Sequence, residues 1–99
     1  MNNSQVAQAF WDNKPKPCKS KSLFYEDGKL FSYGTIILQR IGENIIGNGT
    51  KYSQTTSCHQ TTASIYKANI VLYEVPRGCH DLLEPAQELY YELEYILNS

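Results

Sequence analysis

Hydroxyl-bearing residues are concentrated in one segment of the 99-residue chain, from Thr50 to Ser64. Their positions predict a helix that begins near Thr56 and ends at about residue 68. The N–H groups and dipole at such a helix start favour a phosphate or a carboxylate. The alternative is that the hydroxyls only cap the helix. The candidate binding residues are Lys51, Tyr52, Ser53, Thr55, Thr56, Ser57, His59 and Gln60.

A pattern of the form Asn-x-Thr-x-Tyr-Ser-x-Thr-Thr-Ser-x-His-Gln covers residues 48–60. It resembles a family of small uncharacterised proteins from phages and plasmids. The resemblance implies a mobile-element origin and a small mixed α/β fold, and it implies no activity. Cys58 occupies a variable position of the pattern, which argues against a thiol function shared across the family. The matching residues are Asn48, Thr50, Tyr52, Ser53, Thr55, Thr56, Ser57, His59 and Gln60.

Two Cys-His dipeptides, Cys58-His59 and Cys79-His80, contain residue types that bind zinc or act as nucleophiles. Adjacent side chains point in different directions on a helix or a strand, and paired zinc ligands are normally two to four residues apart. A Cys/His nucleophilic pair would also lack a signature turn and a third group. We therefore expect no metal, no cofactor and no catalytic residue, and a metal- or thiol-dependent hydrolase is the weakest hypothesis.

A second candidate surface lies near the end of the chain, where the apolar spacing predicts a helix over about residues 81–97. Tyr91 and Tyr95 are one turn apart on the side that also carries Glu88 and Glu92. Tyrosines are enriched in protein interfaces, so this acidic face could bind a basic surface of a partner or of a second copy. The alternative is an ordinary solvated helix face.

Composition excludes several classes of protein. The chain is 41% hydrophobic and 12% aromatic with a net charge of −1, which is unlike a disordered chain or a strongly basic nucleic-acid binder. The longest apolar run is only four residues (Ile70, Val71, Leu72 and Tyr73), so we expect no membrane-spanning segment. The N-terminus lacks signal-peptide features and the cysteine count is odd, which together predict a cytoplasmic protein with reduced thiols.

Charge is distributed unevenly along the chain. Residues 1–51 contain seven basic and four acidic residues, whereas residues 52–99 contain two basic and six acidic residues. The segment Lys14–Lys21 has four lysines and two prolines, which predicts a basic, extended linker. Such a linker could contact phosphates, although it contains no arginine or aromatic residue.

The predicted fold class is α+β in a single domain of residues 1–99, with a helix and linker at 1–21 and a core at 22–99. Asp27-Gly28 predicts a hairpin turn, and residues 70–75 form the most apolar strand, which we expect in the centre of the sheet. The sheet should be mostly antiparallel, with about four to five strands. Two main helices (about residues 56–68 and 81–97) and a short N-terminal helix capped by Ser4 should pack with it.

These observations support one leading hypothesis and two alternatives. The leading hypothesis is a non-enzymatic mobile-element protein that binds a host or viral macromolecule, such as an inhibitor of a host defence complex. A nucleotide or nucleic-acid binder that uses the Thr/Ser-rich helix start is the first alternative, and the hydrolase is the second. We expect a protein partner in the host cytoplasm, no membrane partner, and a homodimer as a further option.

Overall fold

A computed structural model of the chain describes residues 1–82 and confirms the α+β class. The sheet has six strands, one more than the upper end of the predicted range. The elements in chain order are α1 (Asn3–Trp11), β1 (Cys18–Lys19), β2 (Leu23–Glu26), β3 (Lys29–Ser32), β4 (Thr35–Ile41), β5 (Asn44–Asn48), α2 (Gln54–Thr62), a 3₁₀ helix (Ile65–Lys67) and β6 (Ile70–Leu72).

The strands lie in the sheet in the same order as in the chain, from β1 at one edge to β6 at the other. Neighbouring strands are antiparallel as far as β5, and β6 then joins β5 in parallel. The Asp27-Gly28 turn is confirmed, because both residues have positive φ (47° and 72°) and Glu26 pairs with Lys29. A parallel pair needs a long crossover connection, which here contains α2 and the 3₁₀ helix.

One face of the sheet is covered by α1 and α2. Leu23 and Tyr25 are alternate residues of β2, and both side chains point into the core. They pack with Leu30 of β3 against Val6 and Phe10 of α1. Each fully buried side chain of this kind contributes about 1.5–3 kcal/mol of transfer free energy. Burial also raises the pKa of Tyr25 above its ordinary value. This packing fixes α1 on the sheet.

The opposite face carries a second apolar cluster, in which Ile36 and Ile46 of the sheet meet Val75 and Leu82 from the segment after β6. Gln39 connects that segment to the sheet. Its amide nitrogen donates to the Asp81 carboxylate at 3.0 Å, and its amide oxygen accepts from the Leu82 N–H at 2.5 Å. The chain after β6 therefore returns across this face.

The predicted starts of α1 and α2 were each wrong by two or more residues. Asn2, not Ser4, caps α1, and it forms a reciprocal capping box with Gln5. Ser53, not Thr55 or Thr56, caps α2. In each case an earlier side chain has the extended backbone that a capping residue needs.

The first main helix is shorter than predicted. It ends at Thr62, because Ser64 adopts the left-handed conformation (φ 57°, ψ 48°) and the chain continues as the separate 3₁₀ helix. The strand predicted over residues 70–75 is also shorter, because β6 covers only Ile70–Leu72. It lies at the edge of the sheet, not at its centre. The Val75 N–H turns away from the ladder and donates to the Thr50 hydroxyl at 2.9 Å.

The predicted basic linker is attached to the sheet. It contains β1, whose Cys18 pairs with Tyr25, and the Tyr25 hydroxyl donates to the Lys14 carbonyl oxygen at 2.6 Å. The prediction that this segment cannot form a central strand agrees with the edge position of β1.

The second predicted main helix (about residues 81–97) lies outside the described residues except for Asp81 and Leu82, and Glu88, Tyr91, Glu92 and Tyr95 also lie outside them. Within residues 1–82, no helix combines the length and apolar character needed to cross a bilayer.

Gly47 marks a close approach between β5 and the crossover. A Cβ atom there would lie 2.9 Å from the Ile65 carbonyl oxygen, a backbone atom that cannot rotate away. We expect Gly47→Ala to lower the free energy of unfolding by about 1–3 kcal/mol, measured by urea denaturation.

Gly49→Ala is the matched comparison, since a Cβ there would meet side-chain atoms of Tyr73 and Val71 that can move. We expect a smaller loss for this variant. A Gly47→Ala protein as stable as Gly49→Ala would contradict the assigned backbone contact.

Candidate functional site

A polar cleft of about 260 Å³ lies where α2 begins beside the turn between β3 and β4. Six of its seven lining residues carry a hydroxyl group, and the seventh supplies a guanidinium. No carboxylate is among these described lining residues. They are Ser32, Tyr33, Thr35, Tyr52, Ser53, Thr56 and Arg77.

Ser53 forms the wall of the cleft at the start of α2. Its hydroxyl oxygen accepts from the Thr56 N–H at 3.2 Å and donates to the Thr56 hydroxyl at 3.1 Å. The hydroxyl-rich segment therefore does cap a helix, which is the alternative to a ligand site that the sequence analysis describes. The same cap also turns Thr56 into the cleft.

Asn48 holds the loop that leads into α2. Its side chain is fully buried, and its amide nitrogen donates to the Ile36 carbonyl oxygen at 2.9 Å and to the Tyr52 hydroxyl at 3.0 Å. The amide oxygen accepts from the Thr50 N–H at 3.0 Å. The Tyr52 hydroxyl in turn donates to the Val75 carbonyl oxygen.

Gln60 closes the same network from α2. Its amide nitrogen donates to the carbonyl oxygens of Asn48 and Thr50, at 2.7 and 3.0 Å. Four residues of the 48–60 pattern, Asn48, Thr50, Tyr52 and Gln60, are thus bonded to one another or to neighbouring strands. Gln60, a predicted binding residue, positions the site and does not line it.

Arg77 brings a positive charge to the cleft. Its guanidinium donates to the Tyr52 carbonyl oxygen at 3.2 Å and lies 5.9 Å from the centre of the Tyr52 ring. The group is exposed, and only one of its nitrogens has a described hydrogen bond. A guanidinium has five N–H donors in a planar fork, so most of them remain available to a carboxylate or a phosphate.

His59 lies beneath the cleft and is buried. Its Nδ1 atom is 2.6 Å from the Ser32 hydroxyl oxygen, and its ring centre is 5.4 Å from that of Tyr33. Burial lowers the pKa of His59 below its ordinary value, which keeps the imidazole neutral near pH 7.

The Ser32–His59 pair has the separation of a nucleophile and its base. Ser32 is only 1% exposed, however, and no carboxylate is hydrogen-bonded to His59 in the described part of the chain. The pair therefore supports the wall and floor of the cleft and joins α2 to β3.

Three hydroxyls in the cleft can still donate. Those of Tyr33, Thr35 and Thr56 each accept one hydrogen bond, from Ser22, Gly78 and Ser53 at 3.1, 3.0 and 3.1 Å. None of the described hydrogen bonds uses the hydrogen that each hydroxyl carries. The site thus offers hydroxyl and guanidinium donors to a group that accepts hydrogen bonds.

The structure divides the predicted binding residues. Tyr52, Ser53 and Thr56 line the cleft, and His59 and Gln60 lie behind it. The remaining predicted residues of this segment do not line it: Lys51 and Thr55 are exposed, and Ser57 is half-buried.

Sequence reasoning missed four lining residues, Ser32, Tyr33, Thr35 and Arg77. The β3–β4 turn and the loop after β6 bring them to the cleft from distant parts of the chain. The only available signal was the position of Tyr33 beside Gly34 in a turn.

The cysteines do not form a metal site in the described structure. All three thiols are free, and the Cys79 thiol is 3.1 Å from the Asp81 carbonyl oxygen. Among residues 1–82, no group of three or more His, Cys, Asp or Glu residues is arranged to hold a metal ion.

Comparison of the chain with protein-family models, curated proteins and solved structures found no match.

Neutral His59 makes the stability of the protein depend on pH. The unfolded chain binds a proton at His59 below about pH 6.5, whereas the folded protein does so only at lower pH. This contribution to stability is present above that value and is lost as the pH falls toward the folded-state pKa. We expect urea denaturation to give a smaller free energy of unfolding at about pH 5.5 than at about pH 7.5.

His59→Asn places an amide where Nδ1 lies and cannot titrate, so its stability should fall less between these two pH values. His80→Asn is the control, since His80 is exposed, and it should retain the wild-type change. If the stability of His59→Asn changed with pH as much as that of the wild type, His59 would not be the source of the pH dependence.

Proposed function

We propose that the protein is a non-enzymatic binding protein whose cleft receives an acidic group of a protein partner. The observation that carries the proposal is the chemistry of the lining. It combines an exposed guanidinium with hydroxyl donors, and the described lining contains no carboxylate. Hydrogen bonds that involve a charged partner are the stronger kind, so an anion gains most from this arrangement.

The conformation of Tyr33 supports a binding role. Its φ of 49° is in the left-handed region, where a bulky residue costs about 1–2 kcal/mol relative to the usual conformation. Asparagine, aspartate or glycine would fit this turn better. A tyrosine that is 66% exposed gains little from burial there, so its ring and hydroxyl at the edge of the cleft offer a reason for its presence.

The size of the cleft favours a group presented by a macromolecule. Drug-sized ligands occupy pockets of roughly 300–1,000 Å³, and this cleft of about 260 Å³ is smaller. A glutamate, aspartate or phosphorylated side chain fits the volume, and the partner would contact the surrounding surface.

The resemblance seen in the sequence supports a proposal for the partner. Because residues 48–60 resemble a family from phages and plasmids, the proposed partner is a host or viral macromolecule, with inhibition of a host defence complex as one form of the activity. The proposed setting is the cytoplasm of the host cell.

A nucleotide is the second candidate ligand. The exposed Tyr33 ring can stack on a base while Arg77 contacts a phosphate. It differs from the nucleotide-binding alternative predicted from the sequence, which used the helix start at Thr55–Ser57 with Lys51 and His59, because Tyr33 and Arg77 supply the contacts here.

Titration of ¹⁵N-labelled protein tests the proposal. The probes are N-acetyl-glutamate amide, N-acetyl-phosphotyrosine amide, AMP and the uncharged N-acetyl-glutamine amide. We expect the two anionic amino acids to shift the amide signals of Ser53, Thr56 and Arg77 more than the glutamine amide does. Arg77→Gln should weaken their binding by about tenfold or more, because it removes a charged hydrogen-bond donor.

Lys51→Gln is the matched control, because it removes a nearby exposed cation that does not line the cleft. The Lys51→Gln protein should bind the glutamate and phosphotyrosine amides as tightly as the wild type does. Tightest binding by AMP would favour the nucleotide candidate, and equal binding of the glutamate and glutamine amides would reject recognition of an anion.

A further inference from the structure

A second groove, of about 460 Å³, runs between α1 and the proline-lysine segment before β1. Gln5, Gln8 and Ala9 line it from the helix, and Pro15, Pro17 and the first residue of β1, Cys18, line it from the other side. The lining surface is largely apolar, although the groove is open at the surface of the protein. It shares no residue with the polar cleft.

The groove is held open by bonds that do not depend on a ligand. The Lys14 N–H donates to the Ala9 carbonyl oxygen at 3.1 Å, and the Lys14 carbonyl oxygen accepts from the Tyr25 hydroxyl at 2.6 Å. Pro15 and Pro17 have restricted backbones, so this wall loses little entropy when a partner binds.

The edge of the groove is basic. Lys14 and Lys16 are exposed and line it. Asp12 is the one acidic residue lining it in the described structure, and its carboxylate accepts a hydrogen bond from Gln8 at 2.9 Å. Lys19 follows in the same segment, so the local charge is positive. An apolar floor beside lysines complements an occupant that is both apolar and acidic.

The shape of the groove selects a helix over an added strand. Pro15 and Pro17 lack N–H groups beside the two-residue strand β1, which hinders strand addition at this edge. Gln5 and Gln8 of α1 and the capping residue Asp12 instead lie at helical spacing over about two turns. Two turns of a second helix can pack side by side with this stretch.

We infer that this groove binds the apolar face of an acidic amphipathic helix from a protein partner. The helix inserts apolar side chains between α1 and the proline segment, and its acidic residues face Lys14 and Lys16. Binding at this groove is independent of binding at the polar cleft, so either can be disproved without the other.

Protection of Cys18 from alkylation provides the test, because this half-buried thiol lines the groove. The probe is a synthetic amphipathic helix of leucine and glutamate. At ten times its Kd, the peptide should slow alkylation of Cys18 by about tenfold. Alkylation of Cys58, an exposed thiol on α2, should not change.

Two control peptides separate the contributions of charge and of apolar contact to binding. One replaces glutamate with lysine, and the other replaces leucine with serine. Both should protect Cys18 less than the acidic amphipathic peptide. Lys14→Glu with Lys16→Glu should weaken its binding by about tenfold at low salt. Lys51→Glu with Lys67→Glu makes the same charge change at exposed positions outside the groove and should leave binding unaltered.

Equal protection by the lysine peptide, or unaltered binding by the Lys14→Glu and Lys16→Glu protein, would overturn the inference. Stronger protection by a single-stranded oligonucleotide would also overturn it and would assign the lysines to phosphate contacts. Concentration-dependent protection without any peptide would identify a second copy as the occupant, which likewise contradicts the inference.

Discussion

The buried amide of Asn48 is the interaction on which the rest of the site depends. It bonds to the Ile36 carbonyl oxygen, the Tyr52 hydroxyl and the Thr50 N–H, and so joins two strands to the loop before α2. Each neutral hydrogen bond contributes about 1 kcal/mol, and leaving its buried partner unsatisfied costs about 1–3 kcal/mol. An apolar residue of similar size would leave several such partners unpaired, and the cleft would lose its shape together with the loop.

The start of the helix beside the cleft could be predicted from the sequence, but most of the lining residues and their contacts could not. Capping by a Ser or Thr is a local effect, so the start of α2 was placed within a few residues. The partners of Asn48 and Gln60 are backbone atoms, several of them distant in the chain, which spacing along one segment cannot identify. Polar residues that suggest a ligand from sequence are here largely occupied by the protein itself.

The missed features have the same physical origin. The turn chemistry of Asp27-Gly28 is local and was correct, whereas the edge position of β6 depends on a parallel crossover that periodicity does not encode. Ser64 ends the helical segment by its left-handed backbone, a conformation that serine rarely adopts and that sequence alone gives little reason to expect. Arg77 reaches the cleft only because the chain turns back after β6.

The two proposed sites would both bind acidic groups, but they would do so through different side chains. The cleft uses one guanidinium and a set of fixed hydroxyls, which favours a single well-oriented acidic group. The groove uses flexible lysines beside an apolar floor, which favours contact area with looser charge pairing. A partner that carries an acidic helix and a separate acidic side chain would engage both, and the second contact would then form at a high effective concentration. Weak individual sites of this kind can therefore combine into tight binding without a deep pocket.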